Sequence, residues 1–333
     1  MSKLKRFLPL ILIFGSLLTL LGIKKIKEAN QPKLPIVGIL QPLSHPALDE
    51  IHRGIVAGLA SEGYRNNRNI KIDFQNAQND QSNLRLMSNQ FVTEKAKVTV
   101  GIATPAAQSL ANATKQLPII LGAVTDPASA NLVKNNAHPG ANITGVSDQA
   151  PIQKQLALMQ TIMPQLKTVG ILYSSSDNSA TSQMHLFKQL AEQKGLTVVE
   201  ASLSSVNDLE QVSQNLVPKV DAIYIPTDNT IASAMGTLVH VTDKTKTPVF
   251  PSAETMVKDG GLATVGLSQY DLGVETGKMT AAVLSGRSKP ATTPIRYLRK
   301  GHLVLNLKKA KALHITIPQS LMQIANQKGA VLK

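Results

Sequence analysis

Polar side chains that can bind a small ligand stand where an apolar stretch of the sequence ends. Residues 222–225 form an apolar run that stops at Pro226-Thr227, and Asp228 and Asn229 follow at the start of a helix-like pattern. A helix N-terminus keeps a nearby carboxylate ionised, and an ionised carboxylate can pair with an ammonium group of a ligand. A helix cap needs only one of these two residues. The pattern therefore predicts a ligand contact by Asp228 and Asn229.

Other polar turns follow predicted strands in the same way. Thr104 precedes Pro105 and a helix of small residues, so its hydroxyl either caps that helix or helps the helix start to bind an anion. Asp126 either forms a local turn or lines a cleft. Residues 174–179 carry more polar groups than one helix cap needs, and Tyr270 is expected to supply an aromatic wall. The candidate ligand-binding residues are Gln41, His45, Thr104, Ala106, Asp126, Ser174, Ser175, Asn178, Ser179, Asp228, Asn229, Ser252 and Tyr270.

Motifs for catalysis or metal binding are missing from the sequence. Residues 145–149 read GVSDQ and lack the second glycine of a nucleophile elbow. Residues 273–279 read GVETGKM, one residue short of a phosphate-binding loop, with Met where a magnesium-binding hydroxyl is needed. His45 and His52 have no third metal ligand in view, and the chain has no cysteine. We therefore predict a binding protein that is not an enzyme and has no metal and no cofactor.

The elements that position these residues alternate between strand and helix from residue 35 onward. Continuous apolar strands separated by helices predict parallel sheets that are covered on both faces. Residues 98–127 and 221–254 share one order of strand, polar turn, helix, Pro-initiated strand and polar turn, which predicts two similar lobes. Ligands of such sheets sit outside the carboxyl ends of the strands. We expect the polar turns of the two lobes to face each other across a cleft.

The net charge of +14 is concentrated at the two ends of the 333-residue chain. Residues 1–28 carry a net charge of +5, residues 287–333 carry +10, and the residues between them carry −1. A nucleic-acid-binding domain would carry its basic residues on a folded reading element instead. The distribution favours contact with an anionic membrane or cell surface, or a solvated basic face without a partner. No nucleic-acid partner is expected.

The N-terminus has the character of a secretory signal. Three basic residues precede residues 7–23, which are uncharged and mostly apolar, and no convincing cleavage site follows. Residues 1–30 are therefore predicted to be a signal peptide, or an uncleaved signal-anchor with its tether. The rest of the chain is then expected to be extracytoplasmic and attached to the outer face of the cell membrane.

Six segments of the chain carry a further signal when they are taken together. They are GILQPLSHPALDEIHRGIVAGLASEGY (38–64), ATPAAQSLA (103–111), VTDPASANLV (124–133), GILYSSSDNSA (170–180), YIPTDNTIAS (224–233) and DLGVETGKMTAAVLSGR (271–287). In this order they resemble one family of ABC transporter substrate-binding proteins, some of which handle tryptophan or other aromatic amino acids. The resemblance extends over residues 35–330. The chain departs from many such relatives because it has no cysteine for lipid attachment after the signal.

The resemblance implies an α/β fold of the type I periplasmic-binding kind, with two Rossmann-like lobes joined by a hinge. Lobe one would comprise residues 34–146 and about 269–297, and lobe two residues 147–268 and about 298–333. It also implies capture of an amino acid, tryptophan or phenylalanine, for an ABC permease with its ATPase. Thr104 and Ala106 would hold the ligand's carboxylate.

Three alternatives stay open at this point. A receptor for another small solute, such as a sugar or nucleoside, would have the same architecture, but a sugar would call for more stacking aromatics than the 3% present. The effector domain of a LacI-like regulator would need a helix-turn-helix where this chain has an apolar segment. An enzyme on a similar scaffold would need one of the missing catalytic motifs.

Overall fold

The computed structural model describes residues 34–298 and 301–333 of the chain. The apolar segment 7–23, predicted to be a signal peptide or signal-anchor, lies outside the described residues. Within the described ranges, no helix combines the length and the apolar character that crossing a membrane requires.

Strands and helices alternate along the described chain, as predicted. The strands are β1 (Ile36–Gln41), β2 (Lys71–Asn76), β3 (Val98–Ile102), β4 (Ile119–Gly122), β5 (Ile143–Ser147), β6 (Thr168–Ser174), β7 (Thr197–Leu203), β8 (Ala222–Ile225), β9 (Val249–Pro251), β10 (Ala263–Gly266), β11 (Arg296–Tyr297), β12 (His302–Asn306) and β13 (Ala330–Leu332). The helices are α1 (Pro46–Ser61), α2 (Gln81–Thr93), α3 (Ala103–Ala113), α4 (Ile152–Ile162), α5 (Asn178–Gln193), α6 (Leu209–Leu216), α7 (Asn229–Ser233), α8 (Met235–Thr245), α9 (Glu254–Lys258), α10 (Gln269–Leu284), α11 (Leu307–Ala312) and α12 (Gln319–Lys328).

Lobe one, residues 36–147 and 269–297, is built on a six-stranded sheet in the order β11-β5-β4-β3-β1-β2. Every neighbouring pair in this sheet is parallel. The inner strands β3, β4 and β5 are buried along their whole length, because helices cover both faces. Apolar residues of α1 and α10 pack on one face, and those of α2 and α3 on the other.

Lobe two, residues 152–266 and 302–332, contains a parallel four-stranded sheet in the order β7-β6-β8-β9. A smaller sheet, β10-β12-β13, pairs β10 with β12 antiparallel and β12 with β13 parallel. Tyr224 of β8 is fully buried, stacks on Phe187 with ring centroids 3.8 Å apart, and donates its hydroxyl to Gln155 at 2.9 Å. The predicted α/β architecture with parallel sheets is confirmed.

The chain crosses between the lobes at three places. It leaves lobe one after Ser147, returns after Gly266, and leaves again after Tyr297. The carboxyl ends of β3, β4 and β5 consequently lie on the side from which the chain departs toward lobe two. These strand ends carry the polar turns that form the candidate site.

Two helices of lobe one are in backbone contact through glycines. A Cβ atom on Gly58 of α1 would lie 2.2 Å from the carbonyl oxygen of Val274, and one on Gly277 of α10 would lie 2.3 Å from that of Ile55. Such distances are shorter than any contact that a real side chain tolerates, so only glycine fits. The contact fixes α1 and α10 relative to each other, and the N-terminal ends of both helices border the site.

Candidate functional site

A narrow cavity lies between the lobes, at the carboxyl ends of the strands. Its volume is about 20 Å³, room for about one water molecule. Lobe one, lobe two and the first crossing all contribute to its walls. The lining residues are His45, Ala47, Leu48, Ile51, Ala103, Thr104, Ala123, Thr125, Asp148, Ser179, Thr227, Asp228, Asn229, Ala232, Ala253, Met256 and Gln269.

Two alanines on the lobe-one wall adopt a left-handed backbone conformation. Ala103 has a φ of +62° and Ala123 a φ of +59°, directly after the neighbouring strands β3 and β4. This conformation costs an alanine roughly 1 kcal/mol, and such strain collects at functional sites. Each alanine turns the chain sharply at the end of its strand. The following residues, Thr104 among them, are thereby brought to the cavity.

Hydrogen bonds between side chains of opposite lobes close the cavity. The hydroxyl oxygens of Thr104 and Ser179 are 2.7 Å apart. The imidazole Nε2 of His45 and the amide Oδ1 of Asn229 are 3.1 Å apart and share a hydrogen bond. The structure is therefore that of a closed cleft.

A third contact between the lobes forms a relay behind the cavity. Gln183 of α5 donates its amide to the Thr125 hydroxyl at 3.4 Å and accepts the N–H of Thr227 at 3.2 Å. Thr125 in turn donates to the carboxylate of Asp148 at 2.8 Å. The relay links a strand end of lobe one, the first crossing and a strand end of lobe two.

Asp228 caps helix α7, and its carboxylate already has several donors. It accepts the N–H of Ile231 at 3.0 Å and the N–H of Ser174 at 2.6 Å. Burial raises the pKa of Asp228, while the backbone donors oppose that rise. The carboxylate thus ties two strand ends of lobe two together, which differs from the expectation of a group held free for a ligand.

Two further acids are buried beside Asp228. Burial, followed by the charge of Asp228, raises the pKa of Asp177 to about 6. Burial raises the pKa of Asp148 to about 7, against the hydrogen bond from Thr125. Burial also lowers the pKa of His45, outweighing the hydrogen bond to Asn229, so this side chain is neutral near pH 7. Among the described residues that line the cavity there is no lysine or arginine.

Small and aliphatic side chains form the rest of the wall. Alanines predominate among them, and a wall of alanines leaves space for a bulky ligand side chain once the lobes part. The apolar lining residues are Ala47, Leu48, Ile51, Ala103, Ala123, Ala232, Ala253 and Met256.

Five of the candidate residues line this cavity: His45, Thr104, Ser179, Asp228 and Asn229. Thr104 does not cap α3, since the cap position is Ile102 and the Thr104 hydroxyl bonds Ser179 instead. Two more candidates support the lining. Ser174 donates to Asp228, and Ser252 shares a hydrogen bond of 2.8 Å with Thr227.

The other candidates lie outside the cavity. Tyr270, expected to supply an aromatic wall, does not line this cavity; it is 36% exposed, and Arg53 lies over its ring. Ala106 is buried in the core between α3 and the sheet. Gln41 is buried and holds the loop before α1 by donating to Leu43 and Asp49.

Three polar candidates from the turns also face elsewhere. Asp126 binds Ser129 through its carboxylate, at 3.2 Å to the N–H and 2.5 Å to the hydroxyl, within its own turn. Ser175 is exposed and donates to the carbonyl oxygen of Leu203. Asn178 is exposed at the start of α5. Asp126 and Asn178 border a separate small crevice beside Ser179.

Sequence reasoning missed Asp148, Thr125 and Gln183. Asp148 follows an apolar strand directly, the same signal that marked Asp228, but its segment was considered only as a failed nucleophile elbow. Thr125 stands next to the candidate Asp126 and has the orientation that was expected of Asp126. Gln183 lies inside helix α5, where no strand-end signal exists.

The two lobes, the parallel sheets and the cleft at their strand ends define a type I periplasmic-binding protein. A family model for ABC transporter substrate binding proteins matches residues 36–328, so the chain belongs to that family. Proteins of this family are extracytoplasmic and bind a small molecule for a permease and its ATPase.

Individual relatives agree with this assignment. The chain is 37% identical to a tyrosine-binding protein from Clostridioides difficile over 287 residues, which is 86% of this chain and 83% of the relative. It is 47% identical to an ABC domain from Streptococcus pneumoniae that was solved in complex with L-Trp. The TM-score is 0.86, and the match covers 90% of this chain and 100% of that domain.

A third relative was solved in an open state. It is a ligand-free, open substrate-binding protein with adhesive properties from Clostridium difficile, and it is 34% identical to this chain. The TM-score is 0.70, and the match covers 90% of this chain and 99% of the relative. The present structure is thus more similar to the L-Trp complex than to the open form, in agreement with its closed cleft.

Proposed function

We propose that the protein captures an aromatic L-amino acid in the cavity between its lobes, as the substrate-binding component of an ABC importer. The observation that carries the proposal is the combination of groups in that cavity. Hydroxyl and helix-start donors around Thr104 suit a carboxylate, buried acids suit an ammonium group, and alanines leave space for a ring. The tyrosine and L-Trp bound by the relatives support an aromatic side chain.

Entry of the ligand requires the lobes to part, because the closed cavity has room for about one water molecule. The direct bonds from Thr104 to Ser179 and from His45 to Asn229 join groups that we assign to the ligand. The ligand takes the place of these direct contacts and bridges the lobes instead. Lobe one and lobe two, with the boundaries predicted from the sequence, are the two parts of this receptor that close around the ligand.

The remaining parts of the proposal concern the protein's surroundings. We assign to the apolar residues 7–23 the attachment of the receptor to the outer face of the membrane. The receptor has no catalytic activity of its own, since recognition by strand-end hydroxyls and acids transfers no group. A permease accepts the ligand from the closed receptor.

The test is a thermal-shift screen of the full-length protein against the twenty amino acids, with sugars and nucleosides alongside. A ligand that binds only the folded state stabilises it by about 2.7 kcal/mol when present at about 100 times its Kd. We expect L-tryptophan, L-tyrosine or L-phenylalanine to raise the melting temperature most. A rise with a sugar or nucleoside and none with an aromatic amino acid would contradict the proposal.

A further inference from the structure

Three buried carboxylates lie close together at this site: Asp148 and Asp228 line the cavity, and the charge of Asp177 acts on Asp148. Two of the three, Asp177 and Asp228, already have ample donors. Asp177 caps α5 and accepts the N–H groups of Ser179 at 2.8 Å and Ala180 at 3.2 Å. Asp228 caps α7 and accepts the N–H groups of Ile231 and Ser174. A helix N-terminus and backbone donors both offset a negative charge. These two acids therefore hold their own strand ends and helices in place without any ligand.

Asp148 is different from the other two acids. It follows β5 in the crossing between the lobes, four residues before α4 begins at Ile152, and it does not cap that helix. Its donors are the hydroxyl of Thr125, at 2.8 Å, and its own backbone N–H. It is 6% exposed, and that remaining surface belongs to the cavity wall. A buried carboxylate in such surroundings gains most from a cation.

The charged and titratable groups that face Asp148 do not supply that cation. Asp177 and Asp228 are acids, and the charge of Asp177 acts on Asp148 in the same direction as burial. His45, across the cavity, is kept neutral by burial, which lowers its pKa. The lining residues in the described part of the chain include no lysine and no arginine. A cation at Asp148 has to come with the ligand.

The sheet places Asp148 at a suitable distance from the carboxylate end of the site. Thr104, Thr125 and Asp148 follow the adjacent strands β3, β4 and β5. Neighbouring strands lie about 4.8 Å apart, so the backbones at Thr104 and Asp148 are roughly 10 Å apart. A zwitterion lying along these strand ends reaches both residues through hydrogen bonds of about 2.9 Å.

We propose that Asp148, and not Asp228, accepts the ammonium group of the bound amino acid, with Thr125 as the positioning residue that orients its carboxylate. This inference rests on the proposed function. Because Asp148 stands in the first crossing between the lobes, the ammonium group neutralises a buried charge at the hinge as the cleft closes. Closure is thereby favoured by ligands that carry an amine.

The experiment compares ligands with and without the amine. Isothermal titration of the full-length protein uses L-tryptophan and L-tyrosine together with their desamino counterparts, indole-3-propionate and 3-(4-hydroxyphenyl)propionate. The variants are Asp148→Asn, Asp228→Asn and, as a matched control, Asp126→Asn, which changes an acid at the same edge of lobe one but outside the cavity.

The wild type is expected to prefer the amino acid over its desamino counterpart by about 10- to 100-fold, the scale of a charge-assisted hydrogen bond. Asp148→Asn is expected to reduce this preference to less than about threefold and to leave the affinity for the desamino ligand unchanged. Asp228→Asn keeps the preference while lowering the melting temperature, and Asp126→Asn behaves as wild type.

If Asp148→Asn keeps the preference, or weakens the binding of both ligands equally, the assignment of Asp148 is overturned while the proposed function stands. If the wild type binds neither aromatic amino acid, the proposed function itself fails.

A second measurement uses the wild type alone and stands even if a variant does not fold. With a pKa of about 7 for Asp148, placing an ammonium group beside it releases about half a proton at pH 7 and almost none at pH 8.5. Titrations in two buffers of different ionisation enthalpy measure this release. Burial lowers the pKa of His45 below its ordinary value of 6.5, so His45 contributes little to the release at pH 7. The absence of proton release at pH 7 would overturn the inference.

Discussion

The buried carboxylates of this protein differ in the donors around them, and that difference decides their roles. Asp177 and Asp228 stand at helix starts, where backbone N–H groups offset part of the free-energy cost of burying a charged carboxylate. Asp148 has the hydroxyl of Thr125 and faces the cavity. A buried acid with few donors is costly to ionise without a partner. Its ionisation therefore depends more strongly on whether the ligand brings a positive charge.

The same acids predict how stability depends on pH when no ligand is present. The pKa of Asp148 is about 7 in the folded protein, above its ordinary value of 3.8, so the folded state binds more protons than the unfolded chain between these values. The contribution of Asp148 to the free energy of unfolding is therefore expected to rise by about 1 kcal/mol as the pH falls from 8 to 6. Urea unfolding at pH 6 and pH 8 measures the difference. Asp148→Asn removes this contribution, so the wild type is expected to gain more stability than the variant between pH 8 and pH 6. The lowered pKa values of His45 and His52 act in the opposite direction, but they do so equally in both proteins. An identical pH dependence in the two proteins would mean that Asp148 is not the titrating group.

Residue types at strand ends were the most informative part of the sequence. A polar residue after an apolar strand led to His45, Thr104, Ser179 and Asp228, because strand ends in a parallel sheet converge on one edge. The direction in which each side chain points did not follow from the sequence. Asp126 and Thr125 are neighbours, and only Thr125 lines the cavity. The left-handed turn at Ala123 sets which of the two side chains faces the cavity, and the residue types do not indicate such a turn.

At the scale of elements, two helices on the same face of lobe one are fixed by direct backbone contact. The glycines of α1 and α10 let the helix axes approach more closely than side chains permit. The N-terminal end of α1 follows His45, and the N-terminal end of α10 begins at Gln269, which lines the cavity. The contact thus sets the position of two walls of the site from outside it.

Gly58→Ala tests this contact. The added methyl group meets the carbonyl oxygen of Val274 at 2.2 Å, so α1 and α10 must move apart, at a cost of about 1–3 kcal/mol in the free energy of unfolding. The matched control is Gly236→Ala in α8, where a Cβ atom meets nothing within 4 Å. The control is expected to stabilise the protein by up to about 1 kcal/mol, because alanine favours a helix over glycine. Thermal unfolding of both variants gives the comparison; equal effects would show that the glycine contact is not tight in solution.

The order of strands and helices was predictable, but one helix boundary was not. The helix-like pattern that starts at Asn229 indicates one continuous helix, whereas the structure has two, α7 and α8, separated at Ala234. Ala234 has φ −125° and ψ 25°, outside the helical region, although alanine favours helices. Local preference is overridden here, because α7 must aim its N-terminal turn, with Asp228 and Asn229, at the cavity while α8 packs on the sheet.

In the described part of the chain, two lobes are joined across the cleft by hydrogen bonds between polar side chains. The bilobed α/β fold and the family were predictable from the order of elements and from six collinear segments, since both depend on patterns spread over the entire chain. The closed state was not predictable, because it depends on side chains far apart in the sequence. Thr104 and Ser179 are 75 residues apart, and His45 and Asn229 are 184 apart. Each such hydrogen bond contributes only about 0.5–1.5 kcal/mol, so a small change shifts the balance between open and closed.

The double variant Ser179→Ala/Asn229→Ala is therefore expected to open the ligand-free receptor. It removes both direct bonds across the cavity, which shifts the ratio of open to closed molecules by about tenfold toward the open form. Small-angle X-ray scattering of the ligand-free protein then gives a larger radius of gyration than for the wild type. The control, Ser175→Ala/Asn178→Ala, makes the same two changes at exposed positions of the same lobe and leaves the cavity bonds intact. Identical scattering from the two double variants would mean that other forces hold the cleft closed. The hydrogen bonds of Gln183 to Thr125 and Thr227 would then be the next to remove.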